Sequence, residues 1–308
     1  KDVLFKGTGG WALQDSFKVR QDLYFESGHL HTNDQYLSMS RFYRETKSSR
    51  ILELTSSTLT LQDTIRYFYG NFNIQTNNLT LDAGTSTLAF INPGGVYAFG
   101  EQSLAFHKVV NYNYAGHDNF IEGLLHMDTL ELYQESRLYH NYYDVSNLII
   151  NAGYDLRISQ GDTLRFDSLL VRGGCGAYAE IRSGTVGQPA IVLPTRPGMV
   201  SDLIVQDLHN PTAFMLKAYN SVDLGNNVGW DFTMSGGRDL FWVGNGGEGA
   251  DTSHWSLSSG GPGGECPPGP ADNVYFDRNS FSQPDQYVFT DSYTWCRDMD
   301  WTGAAFYP

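Results

Sequence analysis

The chain has 308 residues, 41 % of them hydrophobic, and a formal charge of −14 from 20 Lys and Arg against 34 Asp and Glu. That balance opposes nucleic-acid backbones and anionic membrane surfaces, and no run approaches the roughly 18 apolar residues of a membrane helix. With 19 Tyr, 18 Phe and 33 Gly, the composition reads as all-β with many turns.

The opening Lys1-Asp-Val-Leu-Phe has neither an initiator Met nor a signal peptide, which predicts a processed precursor or a segment of a longer chain. Asp22-Leu-Tyr-Phe-Glu-Ser-Gly28 then introduces a phrase that returns as Asn78-Leu-Thr-Leu-Asp-Ala-Gly84 and Asn147-Leu-Ile-Ile-Asn-Ala-Gly153. Each copy reads as a short strand running into a glycine turn. Between the first two, Ile51-Leu-Glu-Leu-Thr and Thr58-Leu-Thr-Leu place apolar side chains two apart, the period of a half-buried strand. Residues 38–47 are ambiguous, and Asn92-Pro-Gly-Gly95 marks a turn. Further strands are expected at 96–99, 105–112, 129–133, 163–166 and 168–171.

The copies of the phrase end 56 and 69 residues apart, unequal distances longer than one coil of a parallel β-helix, so the phrase skips rungs. Stacked coils that bury an inward row against their neighbours account for this density of alternation. Antiparallel sandwiches alternate similarly, but residues 1–233 contain no Asn-Gly or Asp-Gly hairpin pair. The expectation is an elongated parallel β-helix-like (solenoid) body over 1–233, ending in strands at 190–194, 201–208 and 213–218. A polar turn over 222–232 closes it on Trp230. A linker over 234–240 leads to a smaller β module over 241–308, with a Gly/Pro loop at 258–270 and strands at 273–277 and 287–290. The C-terminus reads as cut in mid-pattern.

Cys266 and Cys296 both fall in the smaller module, where a disulfide would close a loop of about 30 residues, worth roughly 3–4 kcal/mol in the chain-entropy account. Cys175 is then a buried small hydrophobe. His29 and His31 point to one side of a strand, a geometry that suits zinc, although a metal-free surface pair is the simpler reading. His254 reads as structural in its turn. Asp272, Asp277, Asp298 and Asp300, with Asn273 and Asn279, are candidate calcium ligands, the only cofactor expected. Asp223, Asn226 and Asn227 crowd a second turn, and Asx turns explain much of both clusters. Tyr139, Tyr142 and Tyr143 are candidate glycan-stacking residues against the alternative of cross-strand packing, as are Tyr112 and Tyr114. Trp230, Trp242, Trp255 and Trp301 read as core anchors. Glycoside hydrolysis needs two carboxylates some 5 to 10 Å apart, but Asp82, Asp155 and Asp167 are scattered at turns and no pair stands out. The sole cationic cluster runs from Arg44 to Arg50.

Three stretches resemble the tandem repeats of very large secreted surface proteins of Bacteroidetes, including the gliding-motility adhesins exported by the type IX secretion system. They are Leu79-Thr-Leu-Asp-Ala-Gly-Thr-Ser-Thr-Leu88; the passage from Thr163 through Gly174-Cys175 and Ile181-Arg-Ser183 to Ala218-Tyr-Asn-Ser-Val-Asp-Leu-Gly-Asn-Asn-Val-Gly-Trp-Asp-Phe232; and Trp242-Val-Gly-Asn-Gly-Gly with Ser253-His-Trp-Ser-Leu257, Asp272-Asn-Val-Tyr-Phe-Asp277 and Cys296-Arg-Asp-Met-Asp-Trp301. The likeness is most specific from 216 to 303 and looser before 75. It implies a non-enzymatic, secreted cell-surface repeat serving attachment or gliding. The implied partners are neighbouring repeats of the same chain, a surface polysaccharide or substratum, and the secretion or gliding machinery, with no nucleic acid and no membrane insertion. The alternative is a carbohydrate-binding surface module, followed by a polysaccharide lyase or hydrolase on a β-helix.

Overall fold

The computed structural model describes the chain apart from residues 45–47, 63–70, 92–93, 113–118, 140–141, 174, 176, 233–235, 291–293 and 307–308. Alternating side chains set the local rule. In the strand Asp22–Phe25, Leu23 and Phe25 are buried completely while Tyr24 points outward. Such a strand has no hydrogen-bonding partner within its own coil. It pairs with the equivalent strand one coil earlier and one coil later, always in parallel. The body is therefore a parallel β-solenoid, as the alternation predicts.

Each early coil gives one short strand to each of three faces. The first coil supplies Val3–Phe5, Gly10–Ala12 and Phe17–Lys18, and the second supplies Asp22–Phe25, Gly28–His31 and Tyr36–Met39. Leu4 lies beside Tyr24, Trp11 beside Leu30 and Phe17 beside Leu37. The first face continues as eleven parallel strands, ending at Val222–Asp223. Coil length varies widely along it. Ile121 and Leu138 are neighbours 17 residues apart, and Phe42 and Phe72 are neighbours 30 apart. The paired strands keep their parallel register in both cases.

The other two faces are separate for four coils, then fuse into long strands at Leu104–Asn111, Leu125–Leu132, Tyr142–Asn151 and Thr163–Arg172. Their ladder breaks where the strands bend: Phe106 pairs with Met127 and Lys108 with Thr129, leaving His107 and Asp128 at the bend. The faces part again afterwards. Ala190–Pro194 stacks on the first half of Thr163–Arg172, while Gly198–Ser201, Leu216–Tyr219 and Trp230–Asp231 form their own three-stranded sheet. Pro197, which has no N–H to give a ladder, stands at that separation.

The core is continuous through these changes. Leu23, Phe42, Phe72, Val96, Ile121, Leu138 and Ile158 stack in register up the first face, all buried. The Phe42 and Phe72 rings lie 5.0 Å apart, nearly parallel. The thrice-used phrase proves to be a corner signal. Its copies fall in three different sheets, within Asp22–Phe25, Leu79–Asp82 and Tyr142–Asn151, and each ends on a left-handed glycine, Gly28, Gly84 or Gly153.

In the smaller module Asp239–Trp242 pairs in parallel with Asn273–Tyr275, and that strand with Asp298–Asp300, while Trp255–Ser256 pairs antiparallel to the first. Asp239 and Leu240, expected as the end of the linker, open this sheet, and Leu240 is fully buried. Trp242 and Trp255 anchor a separate core with Phe276 and Phe281. Trp230 packs against the body core, whereas Trp301 is 40 % exposed and stacks on Phe276 at 3.8 Å. His254 is structural: its ring lies 4.5 Å from Trp242, and Nδ1 is 2.7 Å from the Val243 carbonyl oxygen.

The glycines of the phrase provide a test. A Cβ on Gly153 meets nothing within 4 Å, whereas one on Gly84 would lie 2.3 Å from the Thr55 carbonyl oxygen. Gly153→Ala should cost about 1–2 kcal/mol for the left-handed backbone alone, and Gly84→Ala more than that. Urea midpoints of the two variants check the order; equal costs would mean the corners are not packed coil against coil.

Candidate functional site

The candidate tyrosines are separated by the alternation itself. Tyr143 is wholly buried, with its hydroxyl 2.7 Å from the Ile121 carbonyl oxygen and also within reach of that of Tyr139. Burial pushes its phenol pKa strongly up. Tyr142 is 42 % exposed, and Tyr139 lies on the outside of the first face, 5.3 Å from Phe120. The three therefore form no common stacking platform. Tyr112 stacks on Tyr133 at 5.0 Å, and Tyr114 lies outside the described residues.

The four candidate calcium ligands do not converge either. Asp272 is buried and accepts hydrogen bonds from the Arg238 backbone N–H at 2.7 Å, the Arg238 guanidinium at 2.6 Å and the Gly269 N–H at 2.9 Å. Burial alone would raise its pKa, but these donors hold the carboxyl below the usual range. Asp277 accepts from the Asn279 N–H, Asp300 from the Thr302 N–H, and Asp298 lies 3.4 Å from Arg297. Each acid is engaged locally. Among the described residues no three His, Cys, Asp or Glu are grouped to hold a metal. Asp223 likewise accepts from the Gly225 N–H and the Asn227 amide. His29 and His31 both face Glu53 of the next coil, at 3.1 and 3.5 Å.

The expected Cys266–Cys296 bridge is not formed. Cys266 pairs with Cys175 across a sequence separation of 91, and Cys296 is a free thiol partly buried against the module core. Burial, with Asp298 nearby, pushes that thiol's pKa up. Sequence spacing favoured the local pair because it carries no record of where the body's corners lie. The corner after Thr163–Arg172 brings Cys175 to the module's Gly/Pro loop. Trp295 packs at the same junction against Tyr178, Ile204 and Val222, and burial raises the Tyr178 phenol's pKa. A cavity of about 420 Å³ lies here, lined by the disulfide with Asp202, Asn220, Arg238 and Asp272.

The outside of the solenoid carries ion-pair chains that sequence reading missed, because the links that join one coil's charges to the next, such as Glu135 to Arg157 or Asp155 to Arg182, span distant stretches of sequence. On the first face Arg157 bridges Glu135 at 2.5 Å and Asp155 at 2.8 Å, and Arg182 bridges Asp155 at 3.4 Å and Glu180 at 3.1 Å. These groups line a polar cavity of about 210 Å³ with Tyr154 and Tyr178. Burial raises the pKa of Glu180, and Arg182 opposes the shift. At the bend, Asp128 lies between His107 at 2.9 Å and His126 at 3.3 Å, and Asp144 between His126 and Arg165. Asp167 accepts a hydrogen bond from the Thr195 hydroxyl, and Asp82 one from the Gly84 N–H. A third group centres on the nearly buried Glu131, which meets Lys108 at 2.8 Å, Arg172 and the donating Tyr133 hydroxyl at 2.9 Å. Arg50, from the expected cationic cluster, is buried, and its guanidinium donates to the carbonyls of Gln75 and Asn77.

Compared with protein-family models, curated proteins and solved structures, the chain matches none. No helix among the described residues is long and apolar enough to cross a membrane, which leaves β-barrels unaddressed. The disulfide fits an oxidising compartment.

Two measurements check this picture. Non-reducing peptide mapping should recover Cys175 joined to Cys266, with Cys296 alkylated once the chain is denatured; a Cys266–Cys296 peptide would overturn the junction described. Glu131→Gln should cost about 1–3 kcal/mol near neutral pH through weakened charge-assisted bonds. Burial alone would raise the Glu131 pKa, but Lys108 and Tyr133 outweigh it and hold the carboxyl below its usual range. Its stabilisation is therefore complete above the ordinary carboxylate pKa and fades as pH falls through the lower folded value. The stability gap between wild type and E131Q should close toward acid; a gap that widened would show the opposite linkage.

Proposed function

We propose that this chain is a non-enzymatic, load-bearing and adhesive segment of a large secreted surface protein, of the kind used for attachment or gliding and exported by a type IX system. The observation that carries the reading is the uninterrupted ladder of eleven parallel strands on one face, over a core continuous from coil to coil. In such a stack each coil contacts only its neighbours, so every coil–coil interface carries the full tension and divides it among its own parallel hydrogen bonds and buried core contacts. The covalent tie to the smaller module supports the same reading, since it fastens two folded units against separation. The net charge of −14 keeps long assemblies of such units soluble. Neighbouring repeats of the same chain are its natural partners under this reading.

Pulling single molecules from their two ends tests it. Unfolding should proceed at high force in steps of one coil, 17 to 30 residues, or about 60–110 Å of released chain. Reducing the disulfide should add about 300 Å of extension, the chain held between Cys175 and Cys266. Collapse in one event at a few piconewtons would sink the load-bearing reading.

A further inference from the structure

The geometry points to the outside of the first face, from Tyr97 to Arg182, as a binding groove for an extended neutral oligosaccharide; this rests on the adhesive reading above and names what is gripped. Five neighbouring parallel strands build it: Gly95–Phe99, Asn119–Glu122, Ser136–Tyr139, Asp155–Ile158 and Ala179–Ser183. At the spacing of paired strands they span about 20 Å along the solenoid axis.

The alternation fixes what they present. On the inner side lie Val96, Ile121, Leu138, Leu156 and Ile181, all buried. On the outer side one row runs Tyr97, Glu122, Tyr139, and the next runs Phe120, Arg137, Arg157, Arg182, each residue in register with the one before. The face is thus aromatic at one end and lined by planar polar groups at the other. Tyr97 sits 5.4 Å from Phe99, Phe120 sits 5.3 Å from Tyr139, and all four rings are half-buried. Partly exposed aromatic rings offer a flat apolar surface with a polar rim. Beyond them lies the cavity of about 210 Å³ lined by Gln134, Glu135, Asp155, Arg157, Glu180 and Arg182.

This combination suits a sugar chain. Pyranose rings show apolar C–H faces that stack on aromatics and rims of hydroxyls that both donate and accept. Carboxylates accept and guanidiniums donate in fixed planar forks, so alternating the two satisfies such hydroxyls in pairs. Electrostatics choose among sugars. The three guanidiniums of the groove already face Glu135, Asp155 and Glu180, and Glu122 adds a further acid to the outer row. With the acidic chain as a whole, that balance complements a neutral glycan and disfavours a polyanionic one. The ion-pair chain also fixes its own side chains before any ligand arrives, which reduces the ordering cost of binding.

The test uses the full chain, oxidised, with neutral cellohexaose, xylohexaose and mannohexaose and the acidic hexagalacturonate as probes in calorimetric titration. At least one neutral hexasaccharide should bind, and more tightly than the galacturonate. Tyr139→Ala and Phe120→Ala should each weaken that binding roughly tenfold, the scale of one lost aromatic contact, while Tyr36→Ala on another face leaves it unchanged. Circular dichroism of each variant reports folding. If Phe120→Ala unfolds, Tyr139→Ala and the line broadening of tyrosine ring resonances on adding saccharide in the wild type decide. No binding by any neutral probe, tighter binding of galacturonate, or affinity unchanged in the folded variants would overturn the groove. The pulling measurement separates the two readings: a chain that bears load but binds no glycan remains a spacer, and one that binds but collapses at low force is a binding module.

Discussion

Every strand of the body must find its hydrogen-bonding partners in another coil. A coil's strands lie on different faces, so none can pair with another of the same turn, and each N–H and C=O that is not at a corner is satisfied only by the turns on either side. Buried backbone groups left unpaired would cost more than the apolar burial of one short strand returns. The parallel register is therefore the constraint on which the rest of the structure depends. It holds the inward rows of Leu, Ile, Val and Phe in line, and it holds the outward rows in line as well.

A consequence is tolerance at the corners. Between Phe42 and Phe72 the chain spends 30 residues on one coil, yet the two rings still stack at 5.0 Å. Loop closure grows costlier only slowly with length, so coil length varies while the parallel register between paired strands is kept. This is why the fold was legible in the sequence and its period was not. The two-residue alternation at Leu52, Leu54, Leu59 and Leu61 marks inward positions whatever the coil length, and all four are buried. The phrase ending at Gly28, Gly84 and Gly153 marks corners instead, so its spacing follows the faces it happens to close.

The candidate site was less legible because its chemistry is made by stacking. Glu135, Arg157 and Arg182 are ordinary charged residues in the sequence, and only the registers Arg137 to Arg157 to Arg182 bring them onto one surface. The cluster from Tyr139 to Tyr143 divides for the complementary reason. Residues close in sequence lie on opposite sides of a strand or across a corner, so Tyr143 goes to the core while Tyr139 stays outside. Asp272 looked like a calcium ligand because a turn rich in Asp and Asn is the common signature of both. What decides is the donor set, and here Arg238 and two N–H groups already fill the carboxylate. The cysteines followed the same logic: nearness in sequence favoured Cys296, while the fold placed Cys175 at Cα–Cα 4.8 Å from Cys266.

The position of that covalent tie follows from the ladder. The long strands in the middle of the body, such as Tyr142–Asn151 and Thr163–Arg172, hold ten residues each, whereas the last coils offer only Val222–Asp223 and Trp230–Asp231. Rungs this short make few hydrogen bonds and fray first. Tension passing from the body to the smaller module would concentrate there. The disulfide instead starts from Cys175, just after the last of the ten-residue strands, and reaches across the short coils to the module. Trp295 covers the same stretch from outside by packing on Ile204 and Val222, the outward residues of those coils. Under the load-bearing reading proposed above, the weakest rungs would thus be spared: in the oxidised chain a force path would leave the solenoid just after a ten-residue strand and re-enter a folded unit beyond them.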